Sequence, residues 1–166
     1  RIYNKSYNFI QLERKEKFAS YISKISRTIS KELYHEILNN TMDIKDFKND
    51  DFLFEFYLRN KMDSLSPAVI VDYIREPYIF PNGNVRITFD KNLQAVINTF
   101  DIFDESAQVL SPFLDGDMIL EVKYDDYLPE FIHKALGMSG HQLMALSKYT
   151  ICRELRNNVN WGERLL

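Results

Sequence analysis

Three short stretches of the chain alternate apolar and charged residues with a period of two, and this pattern constrains the fold more than any other feature. In Val85–Asp90, the residues Val85, Ile87 and Phe89 face one way and Arg86, Thr88 and Asp90 the other. In Met118–Tyr124, Leu120, Val122 and Tyr124 oppose Ile119, Glu121 and Lys123. In Phe9–Phe18, Ile10 and Leu12 oppose Gln11, Glu13, Lys15 and Lys17. A strand with one apolar and one charged side belongs in an antiparallel sheet that covers one face only.

The intervening segments read as helices, turns and further strands. A short strand is expected at Tyr21–Ile25. Ser30 reads as the N-cap of a helix over Lys31–Leu38, stopped by Asn39-Asn40. Asp50–Met62 is dense in Phe, Leu and Tyr and predicts a buried helix. Ala68–Tyr78 reads as a strand, Pro81-Asn82-Gly83-Asn84 as a turn, and Leu93–Ile102 as an irregular strand or hairpin. Pro129 opens a short helix through Leu136, and His141–Leu155 predicts the last one. This order of elements gives an α+β domain built around a curved antiparallel sheet.

Composition narrows the function. The 21 Lys and Arg against 24 Asp and Glu give a formal charge of -3, which argues against a broad nucleic-acid-binding surface and leaves room for a local basic pocket. The single cysteine, Cys152, cannot form an internal disulfide, and its expected place is in the core. His35, His133 and His141 show no metal-ligand spacing. No apolar run reaches the roughly 20 residues of a membrane helix, and the first residues lack the apolar core of a signal peptide. A reducing, cytoplasmic setting is therefore expected.

Brought together, the charged strand faces would place Glu13, Lys15, Arg86, Glu121 and Lys123 around one polar concavity. Arg offers directed, often bidentate hydrogen bonds to phosphate, and Lys a mobile point charge. Carboxylates beside them make sense as ligands for Mg or Mn, or as partners that orient the bases. Solvent exposure explains each strand taken alone. Asp90 reads as a turn or ion-pair residue, Asp115, Asp117, Asp125 and Asp126 as turn acids, and Tyr124 and Tyr149 as packing residues.

The ordered strings Arg1-Ile2-Tyr3-Asn4, Leu12-Glu13-Arg14-Lys15, Tyr73-Ile74-Arg75, Val85-Arg86-Ile87-Thr88-Phe89-Asp90, Leu120-Glu121-Val122-Lys123-Tyr124 and Ser147-Lys148-Tyr149 resemble the VTC domain. This is the polyphosphate polymerase domain of vacuolar transporter chaperone proteins and their bacterial relatives, in the triphosphate tunnel metalloenzyme superfamily. The resemblance runs over nearly the whole chain and implies a single domain over 1–166. It implies an antiparallel β-barrel tunnel with flanking and capping helices, here as an incomplete fragment. Arg1 would be the second Arg of a family Arg-x-Arg strand. Lys15, Arg86, Lys123 and Lys148 would be the catalytic cations that line the tunnel. Arg1, Lys24 and Arg75 would join them in binding phosphate, with Arg27 ranked below Lys24. Glu121 and Glu13 would approach a Mn or Mg ion.

The resemblance implies transfer of the terminal phosphoryl group of ATP to a polyphosphate chain. A tunnel-type triphosphatase and a non-catalytic polyphosphate sensor or scaffold are the alternatives. The family's earlier Glu-x-Lys strand is absent and would lie before residue 1. An N-terminal segment or a second subunit is therefore expected to complete the barrel and pair its open edges. Association with a membrane protein, at the inner face of the membrane, is implied as well.

Overall fold

The computed structural model describes residues 1–18, 21–47, 49–137 and 145–162. They form an α+β fold whose ladders are all antiparallel. The chain divides into two compact units, Arg1–Ala68 with Phe100–Glu105, and Val69–Thr99 with Ser106–Leu166.

In the first unit, β1 (Ile10–Phe18) and β2 (Tyr21–Ile29) form a two-stranded sheet. Its register sets Glu13 opposite Ser26 and Lys15 opposite Lys24. The other face presents Arg14, Glu16 and Arg27 to α2 (Asp51–Asp63). Arg14 pairs with Glu55, Arg59 with Glu16 at 3.5 Å, and Arg27 with Asp50 at 2.8 Å. Asp50 also caps α2, accepting hydrogen bonds from the amides of Phe52 and Leu53. Ser30 caps α1 (Lys31–Asn39) as the sequence predicts. Ile10, Ile29, Met42, Phe47 and Phe52 are the buried apolar residues of this unit. Helix α2 is less buried than expected: only Phe52 and Asn60 are fully so. Its dense apolar residues surround the helix rather than forming one stripe.

In the second unit, β4 (Val85–Val96) is the central strand. β3 (Ile70–Phe80) pairs along one edge, and β5 (Val109–Leu110) and β6 (Met118–Lys123) share the other. The β3–β4 turn requires glycine at 83: its φ is +75°, and a Cβ there would lie 2.6 Å from the carbonyl oxygen of Tyr127. The segment expected as a separate element from Leu93 instead continues β4 to Val96.

A β-bulge makes that continuation possible. Between the pairs Asp72–Gln94 and Ile74–Lys91, Tyr73 faces both Asn92 and Leu93, and Asn92 adopts φ 50°. The bulge shifts the side-chain alternation of β4 by one residue. Arg86, Thr88 and Asp90 therefore share a face with Leu93 and Ala95. Leu93 and Ala95 pack with Cys152 of α4 (Lys148–Gly162), and with Val71 and Tyr73 of β3. Burial pushes the Cys152 thiol up to about 11, so it is a packing group and not a nucleophile at neutral pH. α3 (Glu130–Leu136) buries Ile132 and sets Phe131 edge-on against Phe80. The predicted last helix begins at His141, which lies outside the described residues together with Gly140.

The structure overturns the β-barrel tunnel, expected here as an incomplete fragment of the family's barrel. Among the described residues, β1 pairs only with β2, and β3 and β6 pair only with β4. Both sheets are open and neither curls shut. A barrel needs every strand to have two neighbours, and here β4 alone is paired on both edges. Alternating charge identifies a strand's polar face but does not say which strand lies beside it.

Candidate functional site

Register in the second unit assembles four of the predicted residues, Arg75, Arg86, Glu121 and Lys123, on one face. Arg86 lies opposite Lys123, Thr88 opposite Glu121, and Asp90 opposite both Ile119 on β6 and Arg75 on β3. Directly paired residues project to the same side of a sheet. Arg75, whose direction is ambiguous from sequence, thus shares the face of Arg86. The adjacent Val71 and Tyr73 positions are apolar on that face because the bulge brings the core under them.

Helix α4 adds the remaining base. Ser147 Oγ accepts a hydrogen bond from the Thr150 amide at the helix start, and Lys148 follows it. One turn on, Cys152 packs on Leu93 and Ala95. A further turn on, buried Arg156 donates from Nη1 to the carbonyl oxygens of Val96 at 2.6 Å and Thr99 at 3.0 Å. The helix therefore runs alongside the second half of β4, with Lys148 delivered to Asp90.

Asp90 organises the centre. Its side chain is fully buried at 0% exposure, yet it carries two cations. Arg75 donates from Nε to Oδ1 at 2.7 Å and from Nη2 to Oδ2 at 2.8 Å, a bidentate pair. Lys148 Nζ lies 2.7 Å from Oδ2. Burial alone would raise the Asp90 carboxyl, but the hydrogen bonds from Arg75 and Lys148 outweigh it and hold the carboxyl below the usual range. The Tyr73 ring lies beneath both cations, with Arg75 Cζ 5.2 Å and Lys148 Nζ 5.5 Å from its centroid.

Glu121 is the more open acid. Lys123 Nζ sits 2.7 Å from one of its oxygens, and Arg75 Nη2 is 3.8 Å from the other. The Lys123 hydrogen bond is the largest influence lowering its pKa. Arg86 is exposed and lines a shallow depression with Asn84, Lys123, Tyr124 and Asp125. Its side chain makes no ion pair or hydrogen bond with another described residue.

The other predicted residues lie in the first unit. There Glu13 meets Lys24 at 2.8 Å and Arg1 at 3.5 Å. Burial works to raise its pKa, and the contacts with Lys24, Arg1 and Lys15 bring it down. Arg1 is held alongside β1, its carbonyl oxygen accepting from the Gln11 amide at 2.9 Å. Lys15 and Lys24 are cross-strand neighbours on the face of Glu13, while Arg27 projects to the opposite face, toward Asp50.

The predicted residues thus form two clusters. Arg75, Arg86, Glu121, Lys123 and Lys148 are one, and Arg1, Glu13, Lys15 and Lys24 the other. Asp90 has a larger part than its sequence reading gave it. Its position on the Arg86 face, between bases, was the available signal; its burial was not readable.

No group of three or more His, Cys, Asp or Glu able to hold a metal is found among the described residues. Mg or Mn that keeps waters and phosphate oxygens needs only one or two carboxylates. Glu121, about one-third exposed, fits that need. Asp90 is enclosed by its cations, and Glu13 is only 10% exposed between Arg1 and Lys24, so neither offers an open coordination position.

Comparison with curated proteins and with solved structures returned no match. A family model does match: the VTC domain, over residues 1–156. That span contains both clusters, so the chain belongs to the VTC domain family.

Proposed function

We propose that the basic face of the second unit binds the phosphate chain of ATP and inorganic polyphosphate, and that the chain supports transfer of the terminal phosphoryl group between them. Membership in the VTC domain family supports a polyphosphate- or triphosphate-related function in general. The observation that carries the finer reading is the convergence of Arg75, Arg86, Lys123 and Lys148 on one sheet face, where Asp90, Glu121 and the neighbouring Asp125 leave the bases in excess.

Arg86 and Lys123 meet phosphate oxygens directly, since Arg86 has no described protein partner to give up. Arg75 and Lys148 hold charge at the inner end of the same face. In the transfer, the bond from the γ-phosphorus to the ADP oxygen breaks and one to a terminal polyphosphate oxygen forms. That attacking oxygen is already anionic, so no side-chain base is needed. The residues supply orientation and charge neutralisation. Glu121 would hold Mg or Mn, which would supply neutralisation of the charge developing on the phosphate chain.

The test is incubation of the chain with ATP and Mn, resolving polymer from orthophosphate. Growth of polyphosphate with release of ADP is expected. Orthophosphate without polymer would indicate hydrolysis instead, and polyphosphate binding without ATP consumption a sensor or scaffold. Glu121→Gln should lower metal-dependent turnover while leaving metal-free polyphosphate binding in place; unchanged turnover would remove the metal role.

A further inference from the structure

A carboxylate in the middle of an anion-binding face opposes the ligand that the face is built for. Asp90 is such a group, and it is the most enclosed charged side chain of the second unit. A buried ion pair is weak evidence for stability, because apolar replacements of similar volume often stabilise as well or better. Its geometry points to another use. Asp90 engages Nε and Nη2 of Arg75 and leaves Nη1 for a ligand. It takes one contact from Lys148, whose ammonium carries three donors. Both cations also rest on the Tyr73 ring. Arg156 fixes the far part of α4 to the end of β4, so the helix brings Lys148 to a set place.

We propose that Asp90 is a positioning residue, a buried carboxylate that holds Arg75 and Lys148 in one orientation toward a bound phosphate chain. The inference rests on the phosphate-binding reading above and assigns a role within that site. Without Asp90, the two cations would repel each other and each would sample many rotamers. Ordering them would then be charged against every binding event.

The sign of one substitution separates positioning from bulk charge. Asp90→Asn removes a negative charge from a site for anions, so simple electrostatics predicts tighter binding. Positioning predicts weaker binding, on the order of tenfold, as for loss of one charge-assisted contact. The measurement is calorimetric titration of the full chain with inorganic polyphosphate in metal-free buffer, with circular dichroism confirming the fold. Lys148→Ala should weaken binding too, and the double variant should lose less than the product of the two single losses.

Equal or tighter binding by folded Asp90→Asn, or losses that multiply independently, would overturn the inference. Should Asp90→Asn fail to fold, Asp90→Glu keeps the charge and shifts the carboxylate by one methylene. It is expected to weaken binding, and unchanged affinity would overturn the role. Absence of polyphosphate binding by the parent chain would instead overturn the proposed function, and this inference with it.

Discussion

The two polar clusters share a plan and differ in how deeply it is set. Each gathers Lys and Arg around a carboxylate on one face of an antiparallel ladder. In the first unit the ladder has two strands, and the Lys24 side chain that holds Glu13 is 44% exposed. Lys15 lies directly opposite Lys24, a like-charge pairing that Glu13 on the same face offsets. In the second unit a third strand and a helix enclose the carboxylate, and the helical Lys148 is only 19% exposed. Screening by water reduces an exposed ion pair to about 0–1 kcal/mol, whereas breaking a buried one costs several. The same residue types therefore make a firm site in one unit and an adjustable one in the other.

The strongest way to break this comparison is Asp90→Ala. It should destabilise the chain by roughly 2–3 kcal/mol. This is below the 3–5 of a fully enclosed pair because water already screens the Arg75 side chain, 37% exposed. Denaturant unfolding would show it as a lowered midpoint; a loss comparable to that of Glu13→Gln would erase the distinction between the units.

Acid should reveal the same contrast. The Asp90 pKa is lowered in the folded chain. The stabilisation is therefore present above the unfolded-state value and is lost as pH falls through the folded one. Below about pH 4, the parent should lose stability more steeply than Asp90→Asn, as followed by urea unfolding at a series of pH values. Parallel curves would mean that Asp90 adds no pH-linked stability.

Binding gives the next effect. Arg86→Ala should weaken polyphosphate affinity about tenfold, roughly 1.4 kcal/mol, at the lower end for a charge-assisted contact because neighbouring bases compensate. Its thermal midpoint should barely move, since Arg86 is exposed and supports no described residue. Unchanged affinity in the folded variant would remove Arg86 from the site.

The smallest effect is expected in the first unit. Lys24→Ala should cost well under about 1 kcal/mol, because losing the Glu13 contact is partly offset by relief of the Lys15 pairing. A loss larger than that of Asp90→Ala would reverse the comparison.

Much of this arrangement was legible in the sequence, and the reasons are local. Period-two alternation in Val85–Asp90 and Met118–Lys123 put Arg86, Glu121 and Lys123 on one side of their strands. Ser30 announced α1 by its capping chemistry. The chain's charge balance allowed a focused basic face. Pairing was not legible, because alternation is the same whether a strand has one neighbour or two, and so the barrel expectation failed. The burial of Asp90 was hidden for a related reason: it depends on α4, more than fifty residues later in sequence. The division of the bases between two units left no local trace.

The bulge at Asn92 gives β4 two reading frames. Upstream of it the strand is written for solvent and ligand, and downstream for packing, although both halves present the same face. Regular pairing through Asn92, residue for residue, would put both halves in one frame. Leu93 and Ala95 would turn away from Cys152 while Arg86 and Asp90 stayed in place, so losing the bulge with every residue kept would unseat α4 and strand Lys148 far from its carboxylate. The chain would keep every charged residue of its basic face and lose the arm that delivers one of them. This single extra residue is thus the joint at which a structural strand becomes a functional one.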